Sequence, residues 1–255
     1  MNKFTPQELF DILVKDAEHP FSGWDFSFIQ HRIVDAPLSW SYHSKILPYV
    51  RTVKTMLDMG TGGGEFLSLL QPLPKFTYAT EAYKPNVSIA RKKLEPIGVK
   101  VFEIDDMTKL PFKNDQFELI INRHEEYSPS ELFRILEPEG YFITQQVGGK
   151  NDFEINQSLG AKLDEDYLDW NLDYAINELE GVGLKIIEKK EDLTYTRCYD
   201  IGALIYHLKA IPWQIADFSI EKYLDKLKIL HSKTQEDGYF DITNHRFFIK
   251  AKREK

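Results

Sequence analysis

A run of glycines between an apolar segment and a helical pattern constrains this 255-residue chain more than any other feature. The run reads DMGTGGGE at residues 58–65, after a predicted strand over Thr55–Met59 and before helical spacing over Phe66–Leu70. Glycine is needed where a strand turns sharply into a helix and a ligand approaches the backbone, because a Cβ atom would block that approach. The run therefore predicts a strand-turn-helix unit with a nucleotide-like ligand at the turn.

Strand patterns alternate with helical patterns along the chain after Val53. Including the strand before the glycine run, they predict seven strands: Thr55–Met59, Phe76–Thr80, Lys100–Ile104, Glu118–Asn122, Tyr141–Val147, Leu184–Glu188 and Arg246–Ala251. This alternation is typical of a parallel sheet covered by helices on both faces. We therefore expect an α/β fold with a Rossmann-like, mostly parallel, seven-stranded sheet.

The length suits one large domain, so residues 1–255 are predicted to form a single domain. Residues 1–50 would be an N-terminal cap, which begins with a helix after Thr5 and becomes aromatic and irregular from His19. Residues 51–191 would be the ligand-binding core, residues 192–236 a helical insertion or lid, and residues 237–255 the final strand.

The composition of the chain disfavours several kinds of partner and site. Lys plus Arg number 32 against 40 Asp plus Glu, which gives a net charge of −8 and disfavours nucleic acid as a partner. The single Cys198 cannot form an internal disulfide, and no His or Cys spacing predicts a metal site. No apolar run is long enough to cross a membrane, and the N-terminal residues do not resemble a signal peptide. We expect a cytoplasmic protein of undetermined oligomeric state.

Asp58, two residues before the first glycine, discriminates between nucleotide ligands. A carboxylate there would repel a pyrophosphate but could pair with a cationic amino-acid ligand. The dinucleotide fingerprint would also need a third glycine at position 65, which is Glu65. A nicotinamide dehydrogenase is therefore the weaker alternative.

The spacing Asp-x-Gly-x-Gly-x-Gly resembles motif I of the class I S-adenosylmethionine-dependent methyltransferases. The resemblance extends from residue 55 to residue 147. Four further segments resemble motifs of that family in the expected order: Glu81 with Ala90-Arg91, DDMTKLPF at 105–112, FELII at 117–121 and ELFRILEPEGY at 131–141. The second of these resembles the branch that contains the quinone-biosynthesis methyltransferases. Glu118, Glu137 and Glu139 depart from the usual residues of the family.

The resemblance implies that the cofactor is S-adenosyl-L-methionine. Glu81 would accept both ribose hydroxyl protons, and Asp106 would accept the exocyclic amine of adenine, with Met107 beside the ring. The predicted cofactor-binding residues are Asp58, Gly60, Thr61, Gly62, Gly64, Glu81, Ala82, Asp106, Met107 and Asn122.

The fourth predicted strand ends in Asn122-Arg123-His124-Glu125, where the transferred methyl is expected. This segment lacks the Asn/Asp-Pro-Pro-Tyr motif of amino methyltransferases that act on DNA bases, glutamine or adenine in RNA. We predict His124 as a general base, Glu125 as the group that orients it, and Arg123 as a clamp for a substrate carboxylate. Alternatively, Arg123 and Glu125 form a structural ion pair and His124 packs in a loop.

The preferred function is methyl transfer to a small molecule by in-line displacement, at an oxygen, nitrogen or carbon that the sequence does not determine. Aromatic residues of the cap and the insertion would cover the site, and an amide of Gln145 or Gln146 would either enter it or bond to a neighbouring strand. The alternatives are an RNA or protein methyltransferase, which would need a basic surface or an added module, and a non-catalytic protein that binds the cofactor.

Overall fold

The computed structural model describes residues 4–22, 24–163, 165 and 167–255. The α-helices are α1 Pro6–Asp16, α2 Tyr42–Val50, α3 Glu65–Ser68, α4 Lys84–Leu94, α5 Pro129–Ile135, α6 Phe153–Leu159, α7 Leu172–Gly181, α8 Ile201–Ala210 and α9 Ile220–Asp237. The strands are β1 Ile33–Asp35, β2 Thr55–Met59, β3 Phe76–Glu81, β4 Lys100–Glu103, β5 Phe117–Arg123, β6 Leu136–Val147, β7 Leu184–Cys198 and β8 Phe240–Arg253.

The sheet has the order β1-β7-β8-β6-β5-β2-β3-β4 in the described chain. Strands β2 to β6 pair in parallel, and β8 is antiparallel to β6. From β2 the chain moves outward to β3 and β4, then crosses back to β5 on the other side of β2. The strand order therefore reverses between β2 and β5, and ligands of open parallel sheets bind at the carboxyl ends of such strands.

Local sequence signals explain several element boundaries. The Thr5 side chain and Glu8 form a capping box at the start of α1, as the sequence predicts. Gly238 ends α9 with a φ of 84°, a left-handed conformation that favours glycine, and this confirms the predicted turn before the last strand. The predicted bounds of β2 are also confirmed.

The chain divides into two compact units. The larger contains residues 39–148, 169–192 and 246–255, and its core is built on β2, β5, β6 and α7 by residues such as Leu57, Ile120, Phe142 and Leu179. The smaller contains residues 1–38, 149–168 and 193–245, and its core centres on α8, with Leu204, Ile205 and Leu208 buried. The single domain and its four segments stay predictions.

The α/β class and the mostly parallel sheet are confirmed, but the strand count is wrong, because the described chain has eight strands. The additional strand is β1, which pairs antiparallel with the distal end of β7. Three residues are too few to produce a recognisable alternation in sequence.

Two other boundaries differ from prediction. β7 continues to Cys198 with alternating exposure, so the helical part of the predicted insertion begins only at α8. Residues 42–50, predicted as irregular, form α2, which is capped by Ser41 and contains Pro48. Among the described residues, no helix is both long and apolar enough to cross a membrane.

Candidate active site

The glycine turn links β2 to α3 in the larger unit. Gly60, Gly62 and Gly64 have φ values of 68°, 61° and 83°, a region that residues with a Cβ rarely adopt. A Cβ on Gly60 would also lie 2.4 Å from the Cβ of Glu125. Glycine at position 60 is therefore required both by backbone conformation and by space.

Glu81, at the carboxyl end of β3, organises the turn. Its carboxylate accepts hydrogen bonds from the backbone N–H of Gly62 at 2.6 Å and of Tyr83 at 2.8 Å. The N–H of Thr61 donates to the Thr80 carbonyl at 2.9 Å. These bonds connect the turn to the neighbouring strand and place a buried carboxylate beside the glycines.

Asp58 is the second buried acid of the turn, with 5% of its surface exposed. Burial is the largest cause that raises the pKa of Asp58, to about 7. The nearby Thr61 hydroxyl and the Arg123 guanidinium oppose this rise, whereas the charge of Glu81 adds to it. Burial also raises the pKa of Glu81, although backbone N–H groups stabilise its charged form. Burial therefore favours the neutral form of both carboxyl groups.

Glu125 is the third acid and comes from the loop after β5. Burial, together with the charges of Glu81 and Glu126, raises the pKa of Glu125 to about 7. Among the described residues, no Lys or Arg nitrogen lies within 4.0 Å of a carboxylate oxygen of Asp58, Glu81 or Glu125. Burying a carboxylate without a neighbouring cation costs folding free energy. This cluster therefore suits a positively charged ligand.

Asp106 and Met107 follow β4. The Asp106 carboxylate accepts hydrogen bonds from the N–H and hydroxyl of Thr108, at 2.8 and 2.6 Å, and these bonds lower its pKa. One carboxylate oxygen makes both bonds, so the other can accept a further donor. Met107 is partly buried against the core. Ala82, after β3, is exposed.

Asn122, near the end of β5, is fully buried. Its side-chain oxygen accepts from the Thr144 hydroxyl at 3.0 Å and from Gln146 at 2.6 Å, and its amide nitrogen has no partner among the described residues. The Tyr42 hydroxyl donates to the Asn122 carbonyl at 2.8 Å. A polar network thus connects the carboxyl ends of β5 and β6.

Arg123 and His124 occupy the end of β5. The Arg123 guanidinium lies 5.1 Å from the centre of the Phe66 ring. His124 has a φ of 64°, and its N–H donates to the Gln145 carbonyl at 2.8 Å. Burial, together with the nearby Arg246 and Arg123, holds the pKa of the His124 ring well below its ordinary value. The ring is therefore neutral at physiological pH.

The contact predicted between Glu125 and the His124 ring is absent from the described residues. The ring Nε2 instead meets the side-chain nitrogen of Gln145 at 3.0 Å, while Glu125 packs against Gly60. Since Gln145 reaches His124 by parallel pairing of β5 and β6, only its position in a predicted strand could have indicated this contact.

Comparisons with known proteins agree with this geometry. Residues 57–144 match the family model of the methyltransferase domain. A curated relative, the biotin biosynthesis bifunctional protein BioHC of Teredinibacter turnerae, is 24% identical over 204 residues, which are 72% of this chain and 35% of the relative. The chain therefore spans about a third of the length of the curated relative that it matches.

Solved structures share the fold at low identity. A candidate methyltransferase from Bacillus halodurans is 16% identical with a TM-score of 0.60, over 84% of this chain and 99% of that chain. Phosphoethanolamine N-methyltransferase 2 of Haemonchus contortus, solved with phosphomonomethylethanolamine and S-adenosylhomocysteine, is 17% identical with a TM-score of 0.51, over 86% of this chain and 54% of that chain.

The fold and the glycine turn define the class I methyltransferase architecture. The match to the methyltransferase domain over residues 57–144 agrees with the motifs, and the fold is similar to that of the class I S-adenosylmethionine-dependent methyltransferases.

Proposed function

We propose that the chain binds S-adenosyl-L-methionine at the turn between β2 and α3 and transfers its methyl group to a small-molecule acceptor. The observation that carries the proposal is the cluster of Asp58, Glu81 and Glu125 around a glycine turn, where burial raises the pKa of each carboxyl group. A ligand with a sulfonium and an ammonium group would neutralise this cluster.

The predicted cofactor residues have distinct tasks in this proposal. Asp58 would bind the ammonium group, Glu81 the ribose hydroxyls, and Asp106 the adenine amine. Glu81 already accepts two backbone bonds, but a carboxylate has about four lone-pair sites and retains capacity for hydroxyl donors. The cofactor supplies a methyl group on a positively charged sulfur, and the protein's main task is to position the acceptor for in-line attack.

Arg123, His124 and Glu125 are proposed to face the acceptor or the methyl group. Glu125 has a pKa of about 7, which suits a group that takes a proton near neutral pH. The His124 ring is a weaker base than predicted, because burial and two guanidinium groups disfavour its protonated form. If the acceptor must lose a proton, Glu125 is therefore the better candidate base.

Two facts support a small acceptor over a nucleic acid. The net charge of −8 disfavours tracking of a phosphate backbone. The BioHC relative is named for biotin biosynthesis, and the Haemonchus contortus structure contains phosphomonomethylethanolamine, which is a small molecule. The atom that receives the methyl group is left to experiment.

Calorimetry with S-adenosylmethionine, S-adenosylhomocysteine and NAD tests the binding site. We expect binding of both sulfur nucleosides, and Glu81→Gln should weaken it by about 1 to 3 kcal/mol, as for lost hydrogen bonds to a charged group. Asp105→Asn, which alters an exposed acid, is the matched control. Binding of NAD alone, or unchanged affinity in the Glu81 variant, would contradict the proposed site.

Turnover is tested by incubating the protein with a metabolite extract and a donor labelled in its methyl group. Transfer of label to a small molecule is the expected result. Binding of the donor without labelling of any fraction would favour the alternative of a non-catalytic cofactor-binding protein.

A further inference from the structure

A chain of hydrogen bonds in the larger unit determines which nitrogen of His124 carries a proton. The indole N–H of Trp40 lies 2.9 Å from the side-chain oxygen of Gln145, and the side-chain nitrogen of Gln145 lies 3.0 Å from Nε2 of His124. Trp40 and Gln145 are buried, with 7% and 4% of their surfaces exposed. Water is therefore kept from replacing the partners in these hydrogen bonds.

The polarity of this chain follows from Trp40. An indole nitrogen is a donor only, so the Gln145 atom that meets it must be the amide oxygen. The amide group therefore turns its NH₂ toward His124, which removes the usual ambiguity of amide orientation. An NH₂ group can only donate, so Nε2 of His124 must carry the lone pair, and the proton of the neutral ring resides on Nδ1.

The backbone reinforces this arrangement. Arg123 and Gln145 are paired across β5 and β6, and the His124 N–H donates to the Gln145 carbonyl. His124 is therefore attached to Gln145 at two points, through the backbone and through the side chain. The ring nitrogen Nδ1 has no hydrogen-bond partner among the described residues, and the side chain is only partly buried.

We infer that Gln145 is a positioning residue that holds His124 in its neutral Nδ1–H form, so that His124 donates a hydrogen bond to the methyl acceptor instead of taking its proton. The donor role rests on the proposed function, whereas the position of the proton does not. An N–H donor beside Arg123 recognises an electron-rich oxygen, so the acceptor is expected to carry a carboxylate, carbonyl or phosphoryl group.

Nitrogen NMR of protein labelled with ¹⁵N-histidine tests the proton position directly. The His124 signals are assigned by their loss in His124→Gln. We expect the pattern of a neutral ring protonated on Nδ1 throughout about pH 6 to about pH 8, the range in which an unperturbed histidine titrates. A ring protonated on Nε2, or an imidazolium, over this range would overturn the inference.

Gln145→Glu tests the role of the amide. The carboxylate can accept from Trp40 and from His124 but cannot donate, so Nε2 should gain a proton, and the proton affinity of the ring should rise by about tenfold or more. Gln157→Glu makes the same change of charge at an exposed position and should leave the His124 signals unchanged. An unchanged His124 pattern in folded Gln145→Glu would overturn the inference.

Trp40→Phe is a second test, which retains an aromatic ring but removes the donor that orients Gln145. Both ring forms should then be populated; a retained pure Nδ1–H pattern would mean that Trp40 does not orient the amide. Failure of the proposed function is distinguishable, because calorimetry would show no binding of S-adenosylmethionine while the wild-type NMR pattern was retained. Acetate that shifts the Nδ1–H signal of the wild type would support the donor role, and an unshifted signal would contradict it.

Discussion

The two halves of the candidate site differ in how they are built. The half at the ends of β2 and β3 consists of a continuous glycine turn and two acids, Asp58 and Glu81, that stand close to it in sequence. The half at the end of β5 depends on contacts from distant segments, because Trp40 and Gln145 orient His124. The first half is local chemistry that a sequence motif can encode, and the second is created by folding.

The two halves also differ in the direction in which burial shifts their pKa values. The cofactor half concentrates carboxyl groups with raised pKa values, whereas the ring of His124 in the other half has a lowered pKa. Burial acts on both, and it favours the neutral form in each case. Both halves of the site therefore favour neutral side chains in the free protein. A cationic ligand would favour the charged form of the acids, but it would leave the histidine neutral.

The largest expected effect is that of Gly60→Ala on the cofactor half. The new methyl would overlap the Glu125 side chain and would force a residue with a Cβ to a φ of 68°. We expect a loss of unfolding free energy of about 3 kcal/mol, with loss of cofactor binding. Denaturant unfolding and calorimetry measure the two effects.

Gly98→Ala is the matched control for that variant, because Gly98 has a φ of 89° and no atom within 4 Å of the added methyl. It carries only the backbone strain, and a loss of about 1 kcal/mol is expected. Equal losses in both variants would show that the contact with Glu125, which joins the two halves, has no energetic weight.

Asp58→Asn separates ligand binding from stability. The amide cannot be ionised, so affinity for S-adenosylmethionine should fall by about 1 to 3 kcal/mol. Above pH 7 the same change should raise the unfolding free energy of the free protein, since wild-type Asp58 must then ionise in a buried position. A variant that is weaker in binding and also less stable at pH 8 would contradict the assigned electrostatics.

The pH dependence follows from the pKa values of Asp58 and Glu125, both about 7 in the free protein. A bound cation lowers these values, so binding releases protons and affinity should rise as the pH increases through 7. The unfolding free energy of the free protein should fall as the pH rises from about 4, the ordinary pKa of a carboxyl group, to about 7. The reason is that the folded form binds more protons than the unfolded chain over this range.

Calorimetry in two buffers with different ionisation enthalpies counts the released protons, and Asp58→Asn should reduce the number. His124→Gln, in the acceptor half, should leave it unchanged, because its ring is already neutral. An absence of proton release would show that the acids are charged before binding.

The smallest expected effect is that of Phe66→Leu, a change in α3 that acts on the acceptor half through Arg123. It removes the ring beneath the Arg123 guanidinium, and we expect a loss of stability of about 0.5 to 1 kcal/mol. Cofactor affinity should be unchanged within error. A marked loss of affinity would show that Arg123 acts on the cofactor half, against the division proposed for the site.

Prediction from sequence succeeds to different degrees in these regions. The strand over Thr55–Met59, the glycine turn and the capped helix after Thr5 are confirmed, since each depends on residues that are close in the chain. β1 was missed because three residues are too few to show an alternation, and the distal part of β7 was assigned to the helical insertion. The orientation of His124 by Glu125 was predicted from adjacency in the sequence, whereas the contact of the His124 ring with Gln145 comes from the pairing of β5 with β6.

The sequence by itself determined the alternating α/β order, the glycine turn after β2 and the acids that follow β2 and β3, because these properties reside in local propensity and in short spacings. Only the tertiary structure decided that the acids are buried together, that Glu125 covers Gly60, and that Trp40 and Gln145 select the protonated nitrogen of His124. The physical reason is that burial and hydrogen-bond polarity belong to the surroundings of a group, and those surroundings come from segments far apart in the chain.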